Sequence, residues 1–423
     1  MAAETVEILR LSLHGITVGH LAGYQGGRNI LVFDPEYAAN PNRPTLTLSG
    51  IADHPASRRL FTAPWIRQQR LHPVLSNLLP EGALREWFAQ MLKVHPENEF
   101  PLFVQLAADL PGALIAEPLV PEQIPAGVLD HRTRVEPVPR TVRDGRPHFS
   151  LAGVQMKFSM FEADGRFNVS QPDTLGEWIV KTPSTRHQDM PVNEYTVMKL
   201  AELIGVDIPE IKLVTLDQLQ DLPPINLPPE RYAYAIRRYD RDVQGQHRRI
   251  HAEDFAQVMF KYAHEKYGAT NFEQVGKVIY RFTGHGLANV QQMARRLLAD
   301  ILLGNGDAHL KNWSLFYPDQ ITAELAPAYD IVYTQAYIPG ETQISLKLGG
   351  NKEWYAMNMG HFEAWTQAIG APWRAIRPHI EDAMEKARSL WPNHFQTAPM
   401  NAAHKAALQT HWRRLHPDFA LKR

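Results

Sequence analysis

The spacing of apolar residues divides the chain into a β-rich beginning and a helical end. Around the dipeptide His14-Gly15, apolar residues recur at about every second position, which predicts a β-hairpin; these residues are Val6, Ile8, Leu11, Leu13, Ile16, Val18 and Leu21. Farther along, helices and a short strand are predicted for the stretches "PVLSNLLPEGALREWFAQML" and "FPLFVQLAADLPGALIAEP". We take residues 1–117 as a first domain.

Proline and arginine dominate the following segment, residues 118–147, in runs such as "PLVPEQIP" and "RTRVEPVPRTVRDGRP". Proline fixes φ and removes a backbone donor, so it disfavours both helix interiors and central strands. The segment is therefore predicted to be an extended surface connection rather than an element of secondary structure.

Residues 148–245 have the pattern of a small sheet with one helix. A hairpin is predicted for "KFSMFEADGRFNVS" and a short strand ending in Lys181 for "GEWIVKTP". The next segment, "NEYTVMKLAELIG", predicts a helix with Asn193 as its N-cap and Gly205 as its stop. A further strand, "RYAYAIRRYDR", runs into a charged turn.

Helices dominate the remainder, residues 246–423. The segment "VQQMARRLLADILLG" carries a broad apolar stripe that indicates a core-facing helix; its members are Val290, Met293, Ala294, Leu297, Leu298 and Ile301. We find no internal repeat, and a chain of 423 residues is long enough for two or three domains.

Composition narrows the classes of function. Lys and Arg number 44 against 45 Asp and Glu, so no overall charge favours nucleic acid or a membrane surface. The chain has no cysteine, which excludes disulfides, thiolate zinc sites and a cysteine nucleophile. The start lacks the pattern of a signal peptide, and no uncharged apolar run approaches the roughly 18 residues that span a bilayer. We expect a soluble, cytoplasmic protein.

Directly after the apolar stripe comes a cluster of polar residues, "GNGDAHLKNWSLF". Asp307 and Asn312 have the spacing of a protein-kinase catalytic loop, in which the aspartate orients the attacking hydroxyl and the asparagine holds magnesium. Asp330, at the end of "LAPAYD", is a candidate second oxygen ligand. Lys181 on its strand and Glu194 on the next helix are candidates for a phosphate-binding lysine and its ion-pair partner. Lys, Glu, Asp, Asn, Asp is the order of a kinase.

One part of that pattern is missing, because neither G-x-G-x-x-G nor G-x-x-x-x-G-K-[ST] occurs. The best substitute for a phosphate loop is "HFSLAGVQMKFSM". There Ser150, Gly153 and Lys157 combine a hydroxyl, a flexible point and a cation ahead of a strand.

Taken together, the segments resemble a known family. In this order, "SLAGVQMK", "NEYTVMKLAELIG", "RRYDR", "GDAHLKN" and "PAYDI" resemble signature segments of the HipA family of serine/threonine kinases, the toxins of HipA–HipB toxin–antitoxin modules. The N-terminal stretches "NLLPEGALRE" and "DLPGALIAEP" are similar to the amino-terminal domain of that family. The resemblance covers nearly the whole chain.

The resemblance implies an α+β, two-lobed protein-kinase-like fold with an additional N-terminal α/β subdomain and a mostly helical C-terminal lobe. It implies Asp307 as the catalytic aspartate, Asn312 and Asp330 as magnesium ligands, and Ser150 as an inhibitory autophosphorylation site. A dianionic phosphate on Ser150 could pull its loop from the ATP-bound position. The ATP-binding residues implied are Lys181, Lys157, Gly153, Tyr239, Asp240 and His309.

The same resemblance implies ATP and Mg²⁺ as cofactors and a HipB-like helix-turn-helix antitoxin as partner, with DNA reached only through the antitoxin complex. An aminoacyl-tRNA synthetase is the implied protein substrate. Two positions depart from the family pattern. Arg237 stands in the hinge where the best-known member of the family has an acidic residue, and Met156 replaces a commoner acidic residue in the phosphate loop.

Plainer interpretations remain for single residues. Glu194 is also the kind of acid that a helix dipole favours in a first turn. His309 could contact phosphate or simply order its loop, Lys311 could be a solvated cation, and Ser150 could be an unmodified loop serine.

Two other functions compete with a kinase. "GDAH" resembles the opening motif of metallophosphoesterases, although no G-N-H-[DE] follows. A catalytically silent component of an antitoxin–DNA repressor complex is the other alternative, and the intact set of Lys181, Asp307, Asn312 and Asp330 argues against it.

Overall fold

The computed structural model describes residues 4–51, 57–107, 110–125, 127–129, 135–138, 155–169, 175–222, 225–242, 249–268 and 270–421. Two predicted site residues, Ser150 and Gly153, lie outside these ranges. The strands are β1 Glu4–Leu13, β2 Ile16–Tyr24, β3 Arg28–Phe33, β4 Trp65–Gln68, β5 Leu114–Pro118, β6 Val135–Pro137, β7 Lys157–Ala163, β8 Arg166–Val169, β9 Trp178–Lys181, β10 Ile211–Thr215, β11 Leu219–Gln220, β12 Tyr232–Arg237, β13 His251–Asp254, β14 Ser314–Tyr317, β15 Glu324–Leu325, β16 Gln343–Leu348 and β17 Asn351–Glu353. The α-helices are α1 Pro35–Ala39, α2 Ser57–Thr62, α3 Pro73–Ser76, α4 Gly82–Leu92, α5 Glu99–Leu106, α6 Met190–Leu203, α7 Phe255–Val258, α8 Phe272–Phe282, α9 Gly286–Leu302, α10 Met359–Ile369, α11 Trp373–Thr397 and α12 Ala402–Arg414.

The N-terminal subdomain is a twisted sheet in the order β4-β3-β2-β1-β5, with helices packed on it. The predicted hairpin joins β1 to β2 through His14 and Gly15, which both have positive φ, at 51° and 80°. Positive φ at both central residues matches the right-handed twist of the strands, which is why glycine stands in the second place. One face of the sheet buries a core with α3 and α5, to which Leu75 and Phe103 contribute.

The prediction of a featureless connection over residues 118–147 is wrong in part. Strand β6 lies within it and pairs in parallel with the first residues of β1, beside the stretch of β1 that β5 covers. The amide of Val138 also donates to the carbonyl of Val6 at 3.0 Å. A three-residue strand carries too little pattern to be read from sequence, because the partner supplies its hydrogen bonds.

The sheet lobe has the strand order β10-β12-β9-β7-β8-β11, and its predicted hairpin turns at Asp164 and Gly165. Register places Lys157 of β7 directly opposite Lys181 of β9, and Lys181 opposite Tyr234 of β12. Two like charges in directly opposed positions repel, so this pair needs an anion between them.

Helix α6 begins four residues before its predicted start. Its N-cap is Asp189 and Asn193 lies within the helix, so the prediction of Asn193 as the cap is wrong. Pro191 in the first turn explains the earlier start, because proline has no amide hydrogen that needs a partner there. The predicted stop is correct, since Gly205 follows the C-cap with φ of 83°.

The helical lobe is built from α8 to α12, and the predicted stripe of α9 is fully buried in it. Its core continues without a break into the sheet lobe. Val197 and Leu200 of α6 and Ile236 of β12 belong to the same cluster as Leu297 of α9 and Trp391 of α11. In the described part of the chain, none of the helices is long and apolar enough to cross a membrane.

Buried hydrogen bonds join the N-terminal subdomain to the start of the helical lobe. The Nε2 of His251 lies 2.7 Å from the carbonyl oxygen of Leu46, and its Nδ1 accepts the amide of Ala113 at 3.4 Å. Because a carbonyl only accepts, the proton sits on Nε2 and the ring is neutral. The side-chain amide of Gln257 donates to the carbonyl of Val74 at 2.6 Å.

We expect three buried histidines, His72, His251 and His411, each to lower the stability of the protein as the pH falls. Burial lowers the pKa of His251 and His411 to about 4 and that of His72 to about 3, from 6.5. As pH falls below 6.5 the unfolded chain therefore takes up protons first, so stability present above 6.5 is lost progressively towards pH 4. At about pH 5 each histidine should lower the free energy of unfolding by about 2 kcal/mol.

Urea unfolding at about pH 7.5 and pH 5 tests this expectation. Relative to the unsubstituted protein, the change in the free energy of unfolding from the higher to the lower pH should be about 2 kcal/mol more favourable in His251→Gln, because the linked histidine is gone. Buried acids such as Glu253, whose pKa burial raises to about 7, act in the opposite direction but equally in both proteins. His416→Gln, at a partly exposed position, is the matched control and should keep the full difference. An unchanged pH dependence in the His251 variant would contradict the assignment.

Candidate active site

Lys181 is the centre of a buried ionic cluster between the sheet and helix α6. Its Nζ lies 2.5 Å from Oε1 of Glu194 and also contacts Oδ1 of Asp330. Lys157, the cross-strand neighbour of Lys181, reaches Oδ2 of the same Asp330 at 3.1 Å. Asp330 is thus the anion that the two opposed lysines require. Glu194, the predicted partner of Lys181, is in contact with that lysine.

The charges of this cluster are strongly coupled. Burial favours the neutral form of Asp330, but Lys157 and Lys181 outweigh it and hold the pKa of Asp330 well below its usual range. Burial raises the pKa of Glu194 to about 7, against the opposing attraction of Lys181. Asp330 therefore stays ionised, while Glu194 can gain a proton near neutral pH.

A buried amide fixes the segment that follows Asp330. The side chain of Asn193 accepts the amide of Tyr333 at 3.0 Å and donates to the carbonyl of the same residue at 3.2 Å. Asp330 itself has a φ of 55°, in the left-handed region that few residues other than glycine adopt. Helix α6 therefore holds both Glu194 and the strained turn that carries Asp330.

The loop with the kinase-like spacing begins where α9 ends. Gly304 turns the chain with a φ of 59°, and Asn305 donates to Asp300 at 2.7 Å, which anchors the loop to the helix. The side-chain amide of Asn312 then donates to the carbonyl of Asp307 at 2.8 Å. This bond closes the loop between Asn312 and Asp307.

The carboxylate of Asp307 is half-exposed and accepts a hydrogen bond of 2.6 Å from the hydroxyl of Tyr267. His309 is buried beside it, with Nε2 3.8 Å from the Asp307 carboxylate and its ring against Tyr267. Burial lowers the pKa of His309, which keeps the ring neutral. The packing fits a loop-ordering role for His309, and its predicted contact with ATP stays a prediction.

Lys311 is not the solvated cation that its sequence context allowed. Only 13% of its side chain is exposed, and its Nζ lies 3.0 Å from Oε1 of Glu81 in the N-terminal subdomain. It also donates to the carbonyl of Asn77 at 3.0 Å. The loop that carries Asp307 and Asn312 is thus attached directly to the N-terminal subdomain.

The two hinge residues predicted to contact ATP differ in their surroundings. Tyr239 stacks on Tyr329, the residue before Asp330, with ring centroids 5.8 Å apart. Asp240 is buried, and its oxygens accept hydrogen bonds of 2.9 Å from Arg238 and of 2.7 Å from the amide of Gly112. Asp240 therefore joins the hinge to the N-terminal subdomain, and its predicted contact with ATP stays a prediction.

The donor groups fit a magnesium–nucleotide complex. The carboxylate of Asp330, which the two lysines keep ionised, and the side-chain oxygen of Asn312 are hard oxygen donors of the kind that Mg²⁺ prefers. Lys181 and Lys157 point at Asp330 and could also reach phosphate oxygens beside it. Because Mg²⁺ takes few protein ligands and completes its shell from phosphates and water, two such donors are enough.

The roles of three residues that shape this site, Tyr267, Glu81 and Asn193, cannot be inferred from the sequence. Tyr267 and Glu81 carry no motif that would have marked them, since an exposed tyrosine and an acid before a helix are common. For Asn193 the sequence pattern predicts only a role as a helix cap. Asparagine is so frequent at N-caps that only the position of Tyr333 in space reveals the other use of its amide.

Comparison with known proteins agrees with the geometry. The HipA-like C-terminal domain matches residues 149–391 and the HipA N-terminal domain matches residues 9–117. A protein of Sinorhizobium fredii named "Putative kinase Y4dM" is 36% identical over 409 residues, covering 96% of each chain. The serine/threonine-protein kinase toxin HipA of Shewanella oneidensis is 24% identical over 330 residues, covering 70% of this chain and 71% of the toxin.

Among solved structures, the fold is similar to that of the Shewanella oneidensis HipA described in a complex with HipB and its operator DNA. The TM-score is 0.70 at 20% identity, and the match covers 95% of both chains. At that identity the match establishes the two-lobed fold with its N-terminal subdomain. The family matches to both parts and the 36% identical relative establish more: the chain belongs to the HipA family.

Proposed function

We propose that the protein is an ATP- and Mg²⁺-dependent serine/threonine protein kinase. The observation that carries the proposal is the ionic cluster in which Lys181 lies between Glu194 and Asp330, combined with the loop closed from Asn312 to Asp307. A lysine paired to a helix glutamate and a second acidic residue is the arrangement that positions a nucleotide in kinases.

In this proposal each group has one task. Lys181 and Lys157 exchange Asp330 for phosphate oxygens when ATP binds, and Asp330 and Asn312 hold the magnesium ion that neutralises phosphate charge. Asp307 orients the hydroxyl of the protein substrate and accepts its proton. Such a reaction depends mainly on positioning and electrostatic stabilisation, since phosphoryl transfer needs little covalent chemistry from the protein.

Regulation and partners are proposed from relatives. Autophosphorylation of Ser150 would switch the kinase off, because a dianionic group disturbs the phosphate loop. A HipB-like antitoxin would neutralise the protein in the cytoplasm, and DNA would be reached through that antitoxin, since the similar HipA structure is of a complex with HipB and operator DNA. An aminoacyl-tRNA synthetase is the proposed class of substrate.

Incubation of the purified protein with Mg²⁺ and γ-labelled ATP tests the proposal, with Ser150→Ala beside the unsubstituted chain. We expect label on the unsubstituted chain, lost in Ser150→Ala, and mass spectrometry should place it on Ser150. Label that persists in the variant would keep the kinase and overturn the assignment of Ser150. No label, no ATP binding and no phosphate already present would overturn the kinase and favour the silent repressor component.

A further inference from the structure

Glu81 in the N-terminal subdomain stands at the start of a helix without capping it. It is the N-cap residue of α4, where an acidic side chain usually accepts a free backbone amide, yet it makes no such bond. Its oxygens instead contact two lysines of the helical lobe. Oε1 lies 3.0 Å from Nζ of Lys311 and Oε2 lies 2.7 Å from Nζ of Lys266.

Both lysines are close in sequence to Asp307 or to a residue that contacts it. Lys311 belongs to the loop itself, between Asp307 and Asn312. Lys266 precedes Tyr267, whose hydroxyl donates to the Asp307 carboxylate at 2.6 Å. One carboxylate of the N-terminal subdomain therefore contacts both the loop, through Lys311, and the residue next to Tyr267, which contacts Asp307.

Burial and charge make this contact persistent. The side chains of Lys311 and Lys266 are only 13% and 18% exposed, so their ammonium groups have limited access to water. Burial alone would raise the pKa of Glu81, but the two lysines outweigh it and lower the pKa to about 2. The carboxylate of Glu81 therefore stays charged at any pH at which the protein would be assayed.

We propose that Glu81 is a positioning residue for the catalytic loop, so that the N-terminal subdomain is a working part of the active site. Among the described residues, Glu81 forms no hydrogen bond or ion pair with a proposed nucleotide or metal ligand. It acts through Lys311 and through Lys266 with Tyr267, which together fix where the Asp307 carboxylate points. This inference rests on the proposed kinase function, which gives Asp307 its role.

Kinetics of Glu81→Gln test the proposal. The amide keeps the size of the side chain but loses the charge that attracts both lysines. We expect the rate of label incorporation at saturating ATP to fall about tenfold, with the KM for ATP unchanged, because a small displacement of a reacting group is costly. Glu81→Asp should recover part of the rate. The matched control is Glu86→Gln, on an exposed position of the same helix.

Amide hydrogen exchange provides a readout that needs no kinase activity. We expect faster exchange of residues 304–313 and 263–268 in Glu81→Gln, with rates elsewhere unchanged. Unaltered exchange there, or a uniform increase over the whole chain, would overturn the positioning role, as would a raised KM with an unaltered maximal rate. Were the unsubstituted protein to transfer no phosphate, the exchange result would still decide the inference, while the kinase proposal alone would fail.

Discussion

Asp307→Asn is expected to lower the rate of phosphoryl transfer by about 10³-fold, because the amide cannot accept the proton of the substrate hydroxyl. The free energy of unfolding should change by less than about 1 kcal/mol, since a half-exposed side chain at the tip of a loop makes few packing contacts. An amide oxygen can still accept the hydroxyl of Tyr267, so the loop should keep its shape.

The variant and the unsubstituted protein would be compared by label incorporation, ATP affinity and urea unfolding. Asp164→Asn is the matched control, because Asp164 lies in an exposed hairpin turn at a φ of 51° that asparagine adopts readily. An Asp307→Asn protein that keeps more than about a tenth of the rate would remove Asp307 from the reaction. Loss of ATP affinity in parallel with rate would assign it to nucleotide binding instead.

Lys181→Met is expected to abolish ATP binding and also to destabilise the fold. Removing the ammonium leaves Glu194 buried without its cation, and loss of one partner of a buried pair costs about 3 kcal/mol. Asp330 keeps Lys157, so the loss should stay near this lower bound. Because Glu194 can take up a proton near neutrality, the destabilisation should be smaller at about pH 6 than at about pH 8.

Urea unfolding at the two pH values, together with ATP titration, measures both effects. Lys157→Met is the comparison, because its side chain is 48% exposed and its loss should change stability by less than about 1 kcal/mol. Adding Glu194→Gln to Lys181→Met should restore part of the lost stability and remove its pH dependence. Full stability and normal ATP affinity in Lys181→Met would contradict the role of the cluster.

Much of the fold could be predicted from local pattern. Three predicted features are present in the structure: the hairpin at His14-Gly15, the helix stop at Gly205 and the buried face of α9. Each depends on the spacing of apolar residues or on one residue with an unusual backbone conformation, and both signals can be recognised in the sequence. Strand β6 could not be predicted from local sequence, because its stability comes from pairing with β1, more than a hundred residues away along the chain.

In the candidate site, too, some features could be predicted from the sequence and others could not. The order of Lys181, Glu194, Asp307, Asn312 and Asp330 was readable because a phosphoryl-transfer site needs those side-chain types in that sequence. The supporting contacts were not readable. Glu81 and Lys311 are 230 positions apart, and nothing local distinguishes an acid that caps its helix from one that reaches another domain.

The core shared by the two lobes has a consequence for folding. Val197 and Leu200 of α6 lie in one buried cluster with Ile236 of the sheet and Leu297 of α9, and the indole of Trp391 in α11 donates to the carbonyl of Leu200 at 2.9 Å. Neither lobe can then complete its interior alone, so the two should unfold as one cooperative unit and not in separate steps. A fragment that ends after the hinge would expose one side of α6 to water. We therefore expect the sheet lobe and the helical lobe to fold as one unit, and Leu48 of the N-terminal subdomain, which belongs to the same cluster, to become ordered with them.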